Sequence, residues 1–106
     1  MTTAVTLRHL RYFEALAQHG HFGRAAEALG ISQPALSIQM KELEDIVGGP
    51  LVERGPRQVR LTSLGETLLP RGRDILRSVG ELTSPARTTS EELTGRLRVG
   101  VIPTMA

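Results

Sequence analysis

Hydrogen-bonding side chains crowd one face of a segment that the sequence predicts to be helical. Ser32, Gln33 and Ser37 stand at its start, and Gln39 and Lys41 follow. A glutamine amide can pair with N6 and N7 of adenine, and the free N–H groups of a helix start attract phosphate. Solvation of an ordinary helix start would explain the same residues. The segment alone therefore leaves both nucleic-acid binding and plain exposure open.

Three arginines lie within seven residues, at Arg54, Arg57 and Arg60, around a turn at Gly55-Pro56. Guanidinium groups on such a turn can follow a phosphate backbone or enter a narrow minor groove. On charge alone, a solvated cluster is the favoured interpretation. Arg57, nearest the predicted tip, is the best candidate for a phosphate contact, whereas Arg60 could lie on a strand and face solvent.

The residue types needed for catalysis or metal binding are absent or scattered. The chain has no cysteine, which excludes thiolate metal sites and cysteine nucleophiles. His9, His19 and His21 lack the spacing of a zinc site, and we expect them at the surface or at helix ends. Gly48-Gly49-Pro50 indicates a turn, because it lacks the lysine and following helix of a phosphate-binding loop. We predict neither enzyme activity nor a metal or other cofactor.

Length and charge set the outer limits. A chain of 106 residues accommodates one compact core and an appendage. The formal net charge of +2 is too small to argue for nucleic acid by itself. No apolar run approaches the roughly 18 residues of a membrane span, and the start lacks the pattern of a secretory signal. We therefore expect a cytoplasmic protein with no membrane partner.

Apolar periodicity predicts two helices in the first part of the chain. The first begins at Leu7 and ends near Gly20, where a glycine can cap it. The second is short, covers about 23–29 and stops at Gly30. A tight turn follows immediately, so the next helix must start at an angle to the second.

A third helix begins after Ser32, which can accept a hydrogen bond from a free backbone N–H. Pro34 falls in its first turn, where no donor is needed, and the helix runs to about Val47 before Gly48-Gly49-Pro50 ends it. A short helix, a tight turn and a polar-faced helix form a helix-turn-helix. Many three-helix domains share this spacing, so it leaves a plain helical module open.

Two short apolar runs, at 51–52 and 59–61, flank the arginine-bearing turn and predict a β-hairpin. This hairpin is a candidate wing beside the helix-turn-helix. A wing directly after the polar helix favours the interpretation of that helix as a reader of base edges.

A longer fourth helix is predicted to start at Thr62 or Ser63, and its apolar residues recur every seven positions, which is typical of a helix that packs on a partner helix. Pro70 should bend it or sit near its first turns, and Pro85 should end it. The alternative is an amphipathic helix packed back on its own domain. The predicted dimerisation residues are Leu64, Leu68, Ile75, Leu76, Val79 and Leu82.

These segments predict a domain organisation in four parts. Residues 1–62 form the winged helix-turn-helix, and 63–84 form the linker and dimerisation helix. Residues 85–95, rich in Thr, Ser, Glu and Gly, form a hinge, and 96–106 contain a buried strand that stops almost at once. An isolated strand has no ladder to join, so we expect the chain to be a piece of a longer protein.

A set of matches from residue 7 to about residue 66 supports a family resemblance. They are Leu10 to Phe13, Phe22 to Ala26, Ser32-Gln33-Pro34-Ala35-Leu36-Ser37, Leu43-Glu44, Leu51, Arg54, and Leu61-Thr62 with Gly65. The pattern resembles the DNA-binding domain of LysR-type transcriptional regulators. The resemblance implies a mainly α winged helix-turn-helix, a long C-terminal linker helix that dimerises, and a downstream effector-binding domain of periplasmic-binding-protein type.

The resemblance also implies roles for individual positions. In this family, the positions of Gln33, Pro34, Ser37 and the next residue lie in or near the major groove, and Arg54 or its neighbours meet the edge of the DNA. That next residue is Ile38 here, whereas the family often has arginine. Isoleucine could touch a thymine methyl group but cannot pair with guanine or phosphate, so the base preference at this position is open.

The predicted function is sequence-specific DNA binding by a homodimeric transcription regulator, an activator or a repressor. The third helix would enter the major groove of double-stranded DNA, with the wing on the DNA edge. The alternative is a helical protein-interaction module that dimerises through its fourth helix; a titration with DNA at two salt concentrations separates the two. The predicted DNA-binding residues are Arg24, Ser32, Gln33, Pro34, Ser37, Ile38, Gln39, Lys41, Arg54, Arg57 and Arg60.

Two stretches, 20–26 and 95–104, resemble the peroxide-sensing OxyR-type branch of the family. The resemblance implies that a C-terminal domain senses an effector or a redox signal and that the full-length protein forms higher oligomers. The redox cysteines of that branch would belong to the downstream domain. The lack of cysteine in this chain therefore neither supports nor opposes the assignment.

Overall fold

The computed structural model describes residues 4–83 and confirms the mainly α winged helix-turn-helix. The boundary between two compact units falls between Leu76 and Arg77. The predicted hinge at 85–95, the strand within 96–106 and Pro85 lie outside the described residues. The elements in chain order are α1 (Leu7–His19), α2 (Phe22–Leu29), α3 (Gln33–Val47), β1 (Val52–Arg54), β2 (Val59–Leu61) and α4 (Ser63–Thr83).

Helix α1 begins with a reciprocal cap. Thr6 Oγ1 accepts the N–H of His9 at 3.2 Å, and His9 Nδ1 accepts the N–H of Thr6 at 3.0 Å. The side chain of His9 is 1% exposed and bonds through Nε2 to Glu42 of α3. His9 thus lies at a helix end, as one of the two expected positions, but it is buried because helical spacing turns it toward α3. His19 and His21 lie at helix ends, as expected, and are half-buried.

A left-handed glycine makes the turn between α2 and α3. Gly30 has φ +74°, a conformation that other residues rarely adopt, and its N–H bonds to carbonyls of the last turn of α2. Ser32 then accepts the N–H of Ala35 at 3.2 Å. Pro34 occupies the first turn of α3. The helix stop at Gly30, the Ser32 cap and the position of Pro34 agree with the sequence predictions, and α2 starts one residue earlier than predicted.

The hairpin is anchored to both α1 and α3. Its strands pair antiparallel over three residues each. The N–H of Val59 bonds to the carbonyl of Gly20 at 2.8 Å. On the other strand, Glu44 of α3 accepts the N–H of Leu51 at 2.8 Å and that of Val52 at 3.4 Å. The hairpin is thus held on two sides, which fixes its position beside α3.

Helix α4 is capped by Thr62, whose Oγ1 accepts the N–H of Gly65 at 3.0 Å, so the first residue of the helix, Ser63, is not the cap. Gly65 is buried, and a Cβ there would overlap the carbonyl oxygen of Leu51. Pro70 lies inside the helix, which continues through it to Thr83 rather than ending near it.

Helix α4 also lies against α1. Gly72 is buried, and a Cβ there would contact the Leu10 side chain at 3.4 Å. Arg73 Nε donates to Glu14 Oε2 at 3.4 Å. Both contacts fix the first part of α4 on the helix-turn-helix.

A single apolar core joins the helices and the hairpin within the described residues. The buried core residues are Phe13, Ala15, Leu16, Phe22, Ala25, Ala26, Leu36, Met40, Leu43, Leu51, Val52 and Leu69.

None of the helices among residues 4–83 has the length and apolar character needed to cross a membrane.

Candidate nucleic-acid interface

Helix α3 turns one face to the core and the opposite face outward. Leu36 and Met40 are buried on the inner face. Ile38 lies about 200° around the helix from Leu36, at about 100° per residue, and is 65% exposed. Pro34, one turn earlier, is also exposed. This outer face, at the amino-terminal half of α3, is the part that can enter a groove.

Arg54 connects the hairpin to the flank of α3. Its Nη2 donates to Ser37 Oγ at 2.7 Å, and its guanidinium carbon lies 4.2 Å from the centre of the Phe22 ring. A guanidinium over an aromatic face is held both by the ring quadrupole and by packing. Arg54 remains exposed overall, and its planar fork has further N–H donors for a phosphate or carboxylate oxygen. Phe22 and Ser37 therefore position a cation at the edge of α3.

A groove of about 280 Å³ separates the start of α3 from the hairpin. Gln33 lines one side, and Arg54 and Arg57 line the other. None of the residues that line this groove is acidic, so its charge favours an anion. The Gln33 amide oxygen lies 3.5 Å from the Cβ position that a side chain at Gly23 would have. A methyl group at residue 23 would therefore make an ordinary van der Waals contact with this amide.

The remaining predicted residues of α3 have different surroundings. Ser32 is exposed, and its hydroxyl oxygen is already used by the helix cap. Lys41 is exposed on the outer face and pairs with Asp45 at 3.6 Å. Gln39 is half-buried and lies three residues before Glu42, on the flank that faces α1. Gln39 is therefore separated from the groove, whereas Lys41 extends the outer face.

The remaining predicted arginines are exposed but spread out. Arg57 lies between the strands, at the tip of the hairpin. Arg60 lies on β2 opposite Glu53 of β1, in the antiparallel register. Arg24 lies on α2. The structure thus gathers Gln33, Arg54 and Arg57 around one groove and leaves Arg24 and Arg60 outside its lining.

The chemistry of this surface is hydrogen bonding and cation binding to anions. The described part of the chain contains no group of three or more His, Asp or Glu side chains that could hold a metal ion. Amide, hydroxyl and guanidinium groups beside an outward helix face are suited to base edges and phosphates.

A family comparison agrees with this geometry. Residues 7–66 match the model of the bacterial regulatory helix-turn-helix proteins of the lysR family. The chain belongs to the lysR family. The matched range covers α1 to β2 and the first residues of α4, which are the elements that build the groove and the outer face of α3.

Similar proteins extend the comparison beyond the family model. This lysR-family chain is 48% identical over 101 residues to a probable hydrogen peroxide-inducible genes activator of Mycobacterium xenopi, covering 95% of this chain and 53% of that protein. It is 47% identical over 97 residues to the SDS degradation transcriptional activation protein of a Pseudomonas strain, covering 92% of this chain and 32% of that protein. The chain therefore spans about half the length of the first relative and about a third of the second.

A solved structure supplies a geometric parallel that bears on DNA. The complex of the CbnR DNA-binding domain with DNA superimposes with a TM-score of 0.74 at 36% sequence identity. The match covers 81% of this lysR-family chain and 99% of the CbnR chain. The likeness supports the winged helix-turn-helix assignment, since it extends over the whole of that domain.

The predicted dimerisation residues of this lysR-family chain divide into two groups. Leu64 and Leu68 are half-buried and pack against the chain's own core, which the alternative of a helix packed on its own domain anticipated. Ile75 is 47% exposed, and Leu82 is 75% exposed. The remaining two, Leu76 and Val79, are half-buried.

Sequence analysis missed two positioning residues of the interface. Phe22 was named only as part of the family pattern, yet its ring packs under the Arg54 guanidinium. Glu44 was also named only in that pattern, yet its carboxylate accepts the N–H groups of Leu51 and Val52 at the start of β1. Both contacts join different elements, so the apolar periodicity within one helix did not reveal them. The position of Glu44 on the same flank of α3 as Ser37, seven residues on, was the one available signal.

Proposed function

We propose that this chain is the DNA-binding part of a homodimeric transcription regulator that acts on specific double-stranded sites. The observation that carries the proposal is the placement of Gln33 and Ile38 at exposed positions of α3, next to the groove that Arg54 and Arg57 line, with Ser37 holding Arg54. The likeness to a domain solved in complex with DNA supports the same conclusion.

The two sides of the groove would have different roles. Gln33, at the start of α3, would read a base edge, because a glutamine amide offers a donor and an acceptor together. Arg57, at the tip of the hairpin, would bind the phosphate backbone and contribute affinity without sequence preference. Arg54 is already oriented by Ser37 and Phe22, so little side-chain entropy is lost when it meets a phosphate.

A second copy of the chain is the partner that we propose for an apolar groove of about 250 Å³. Val5 and Ile75 line this groove and are 41% and 47% exposed. Leu68 and Leu10 line it further in. The seven-residue recurrence along α4 favours a helix as the occupant. A homodimer would place two copies of α3 on successive turns of one face of the DNA.

The signal that controls the regulator would be sensed outside the described residues. We propose the four-part organisation given by the sequence, with a hinge at 85–95 and a sensor domain whose first strand lies in 96–106. One relative is named for hydrogen peroxide induction and another for SDS degradation, so an oxidant and an amphiphile are both candidates. The protein would act as an activator or repressor in the cytoplasm, where the chromosome is, and not as an enzyme.

A paired substitution tests the proposed DNA contacts. The probe is a duplex selected from a random pool by the unmodified chain, compared with a duplex of shuffled sequence. Gln33→Ala should lower affinity for the selected duplex by about 1–3 kcal/mol and leave the shuffled duplex nearly unaffected. Arg57→Ala should weaken both duplexes alike and reduce the dependence of affinity on salt.

Fluorescence anisotropy at two salt concentrations measures both effects. Arg60→Ala is the matched control, since Arg60 is exposed on the same hairpin but does not line the groove. An equal loss on both duplexes for Gln33→Ala would contradict base reading. Failure of the unmodified chain to bind any duplex would favour the interaction-module alternative.

A further inference from the structure

An isoleucine occupies the most outward position of the proposed reading helix. Ile38 is 65% exposed. The other exposed large apolar side chains among the described residues lie outside α3: Val5 before α1, and Ile75 and Leu82 on α4. An exposed β-branched residue adds little to helix stability. Nothing in the fold of residues 4–83 explains why this position is apolar.

The neighbours of Ile38 limit what could cover it. Pro34 lies one turn before and Lys41 one turn after, both exposed. Ser37 and its bound Arg54 lie beside it. The apolar surface of Ile38 and Pro34 is small and is flanked by polar and cationic groups, so it is a poor docking site for a protein, which needs a larger apolar patch. A surface of this kind is suited to contact a single apolar group that lies among anionic groups.

The major groove of DNA offers one such group. Each base pair presents hydrogen-bond donors and acceptors there, and thymine alone among the four standard bases adds an apolar C5-methyl group. Isoleucine has no donor or acceptor, so it can select only through this methyl contact and through the cost of covering a polar edge.

We propose that Ile38 determines specificity by packing on a thymine methyl group in each half-site. The inference rests on the proposed function, because it requires α3 to lie in the major groove. The inference adds the chemical group that is recognised, which is a 5-methylpyrimidine next to the base that Gln33 reads. It also explains why a side chain unable to bind guanine or phosphate stands at the centre of the reading surface.

Selection from a random duplex pool gives the first test. We expect the unmodified chain to enrich a thymine at one position of each half-site. Ile38→Ala should lose that preference while keeping the rest of the selected sequence. Ile38→Arg should replace it with guanine, because arginine binds O6 and N7 of guanine. Retention of the same thymine preference by both variants would overturn the proposal.

Removal of the methyl group gives the second and sharper test. Deoxyuridine replaces that thymine in the selected duplex, which preserves every hydrogen bond and deletes only the C5-methyl. Burial of one methyl group corresponds to about fourfold in affinity for each half-site. The unmodified chain should therefore bind the uridine duplex about fourfold more weakly for each half-site changed, and Ile38→Ala should bind the two duplexes equally.

Two controls separate this inference from the proposed function. Arg57→Ala should weaken binding overall yet keep the sensitivity to uridine. Cytosine at the same position, paired with guanine, should bind poorly, and 5-methylcytosine should recover about fourfold of that loss. If the unmodified chain selects a sequence but binds the uridine duplex with unchanged affinity, the thymine contact is wrong and DNA binding stands. If it selects no sequence at all, both proposals fail.

Discussion

A single buried histidine, His9, links α1 to α3. His9 Nδ1 accepts the backbone N–H of Thr6, so the imidazole proton must be on Nε2 for a donor to face Glu42. The 1% exposed ring therefore uses both nitrogens. One side chain thus completes the cap of α1 and orients α3.

We predict that His9→Ala destabilises the fold by about 2 kcal/mol, because it removes the imidazole that accepts the N–H of Thr6 and bonds to Glu42, while the bond from the backbone N–H of residue 9 to Thr6 remains. His9→Gln should recover about 1 kcal/mol, since glutamine at this position can complete a capping box with Thr6. Urea denaturation followed by circular dichroism measures both changes. His19→Ala, at the half-buried end of the same helix, should cost less. An unchanged midpoint for His9→Ala would show that neither contact contributes to stability.

Contacts between residues that are distant in the sequence could not be predicted. Sequence analysis identified Arg54 and Ser37 as separate DNA contacts, but the hydrogen bond between them joins positions 17 residues apart. The burial of His9 depends on Glu42, 33 residues away. Spacing along the chain shows which residues share a helix face, but it does not show which other element covers that face. Contacts between elements were therefore the part that could not be predicted.

At the scale of elements, prediction succeeded where capping chemistry is local. Gly20, Gly30 and Ser32 mark helix ends through hydrogen bonds within a few residues, so the bounds of α1 and α3 could be derived directly. The cap of α4 was ambiguous between Thr62 and Ser63 because both carry a hydroxyl. Its hydrogen bonds decide it, since Thr62 Oγ1 accepts the N–H of Gly65 and donates to the carbonyl of Pro50, two residues before β1.

The junction between α4 and the hairpin depends on one small residue. Gly65→Ala should destabilise the fold by about 3 kcal/mol, because its Cβ would overlap the carbonyl oxygen of Leu51 and force backbone to move. Gly80→Ala places the same methyl group on the same helix with nothing within 4 Å, and it should cost nothing or stabilise the helix by up to about 1 kcal/mol. Thermal unfolding compares the pair; equal effects would mean that propensity, not packing, governs both sites.

The proposed function requires two surfaces that face different partners. The outer face of α3 is polar apart from Ile38 and Pro34. The groove between the start of α1 and α4 is almost wholly apolar. A polar surface is well hydrated without a partner, whereas an apolar groove is stabilised when a partner covers it. Dimer formation and DNA binding should therefore be linked through α4 without sharing residues.

Ile75 provides the test of that link. A glutamate at this half-exposed position in the apolar groove would leave a charge in the dimer interface, so Ile75→Glu should convert the chain to a monomer in sedimentation equilibrium. It should also lower affinity for a duplex with two half-sites by about tenfold or more while leaving a single half-site unaffected. Ile75→Leu should retain the dimer, and Thr67→Glu, which adds the same charge at an exposed position of α4, should leave both measurements unchanged. A dimer that persists in Ile75→Glu, at concentrations where the unmodified chain is half dissociated, would place the interface elsewhere on the chain.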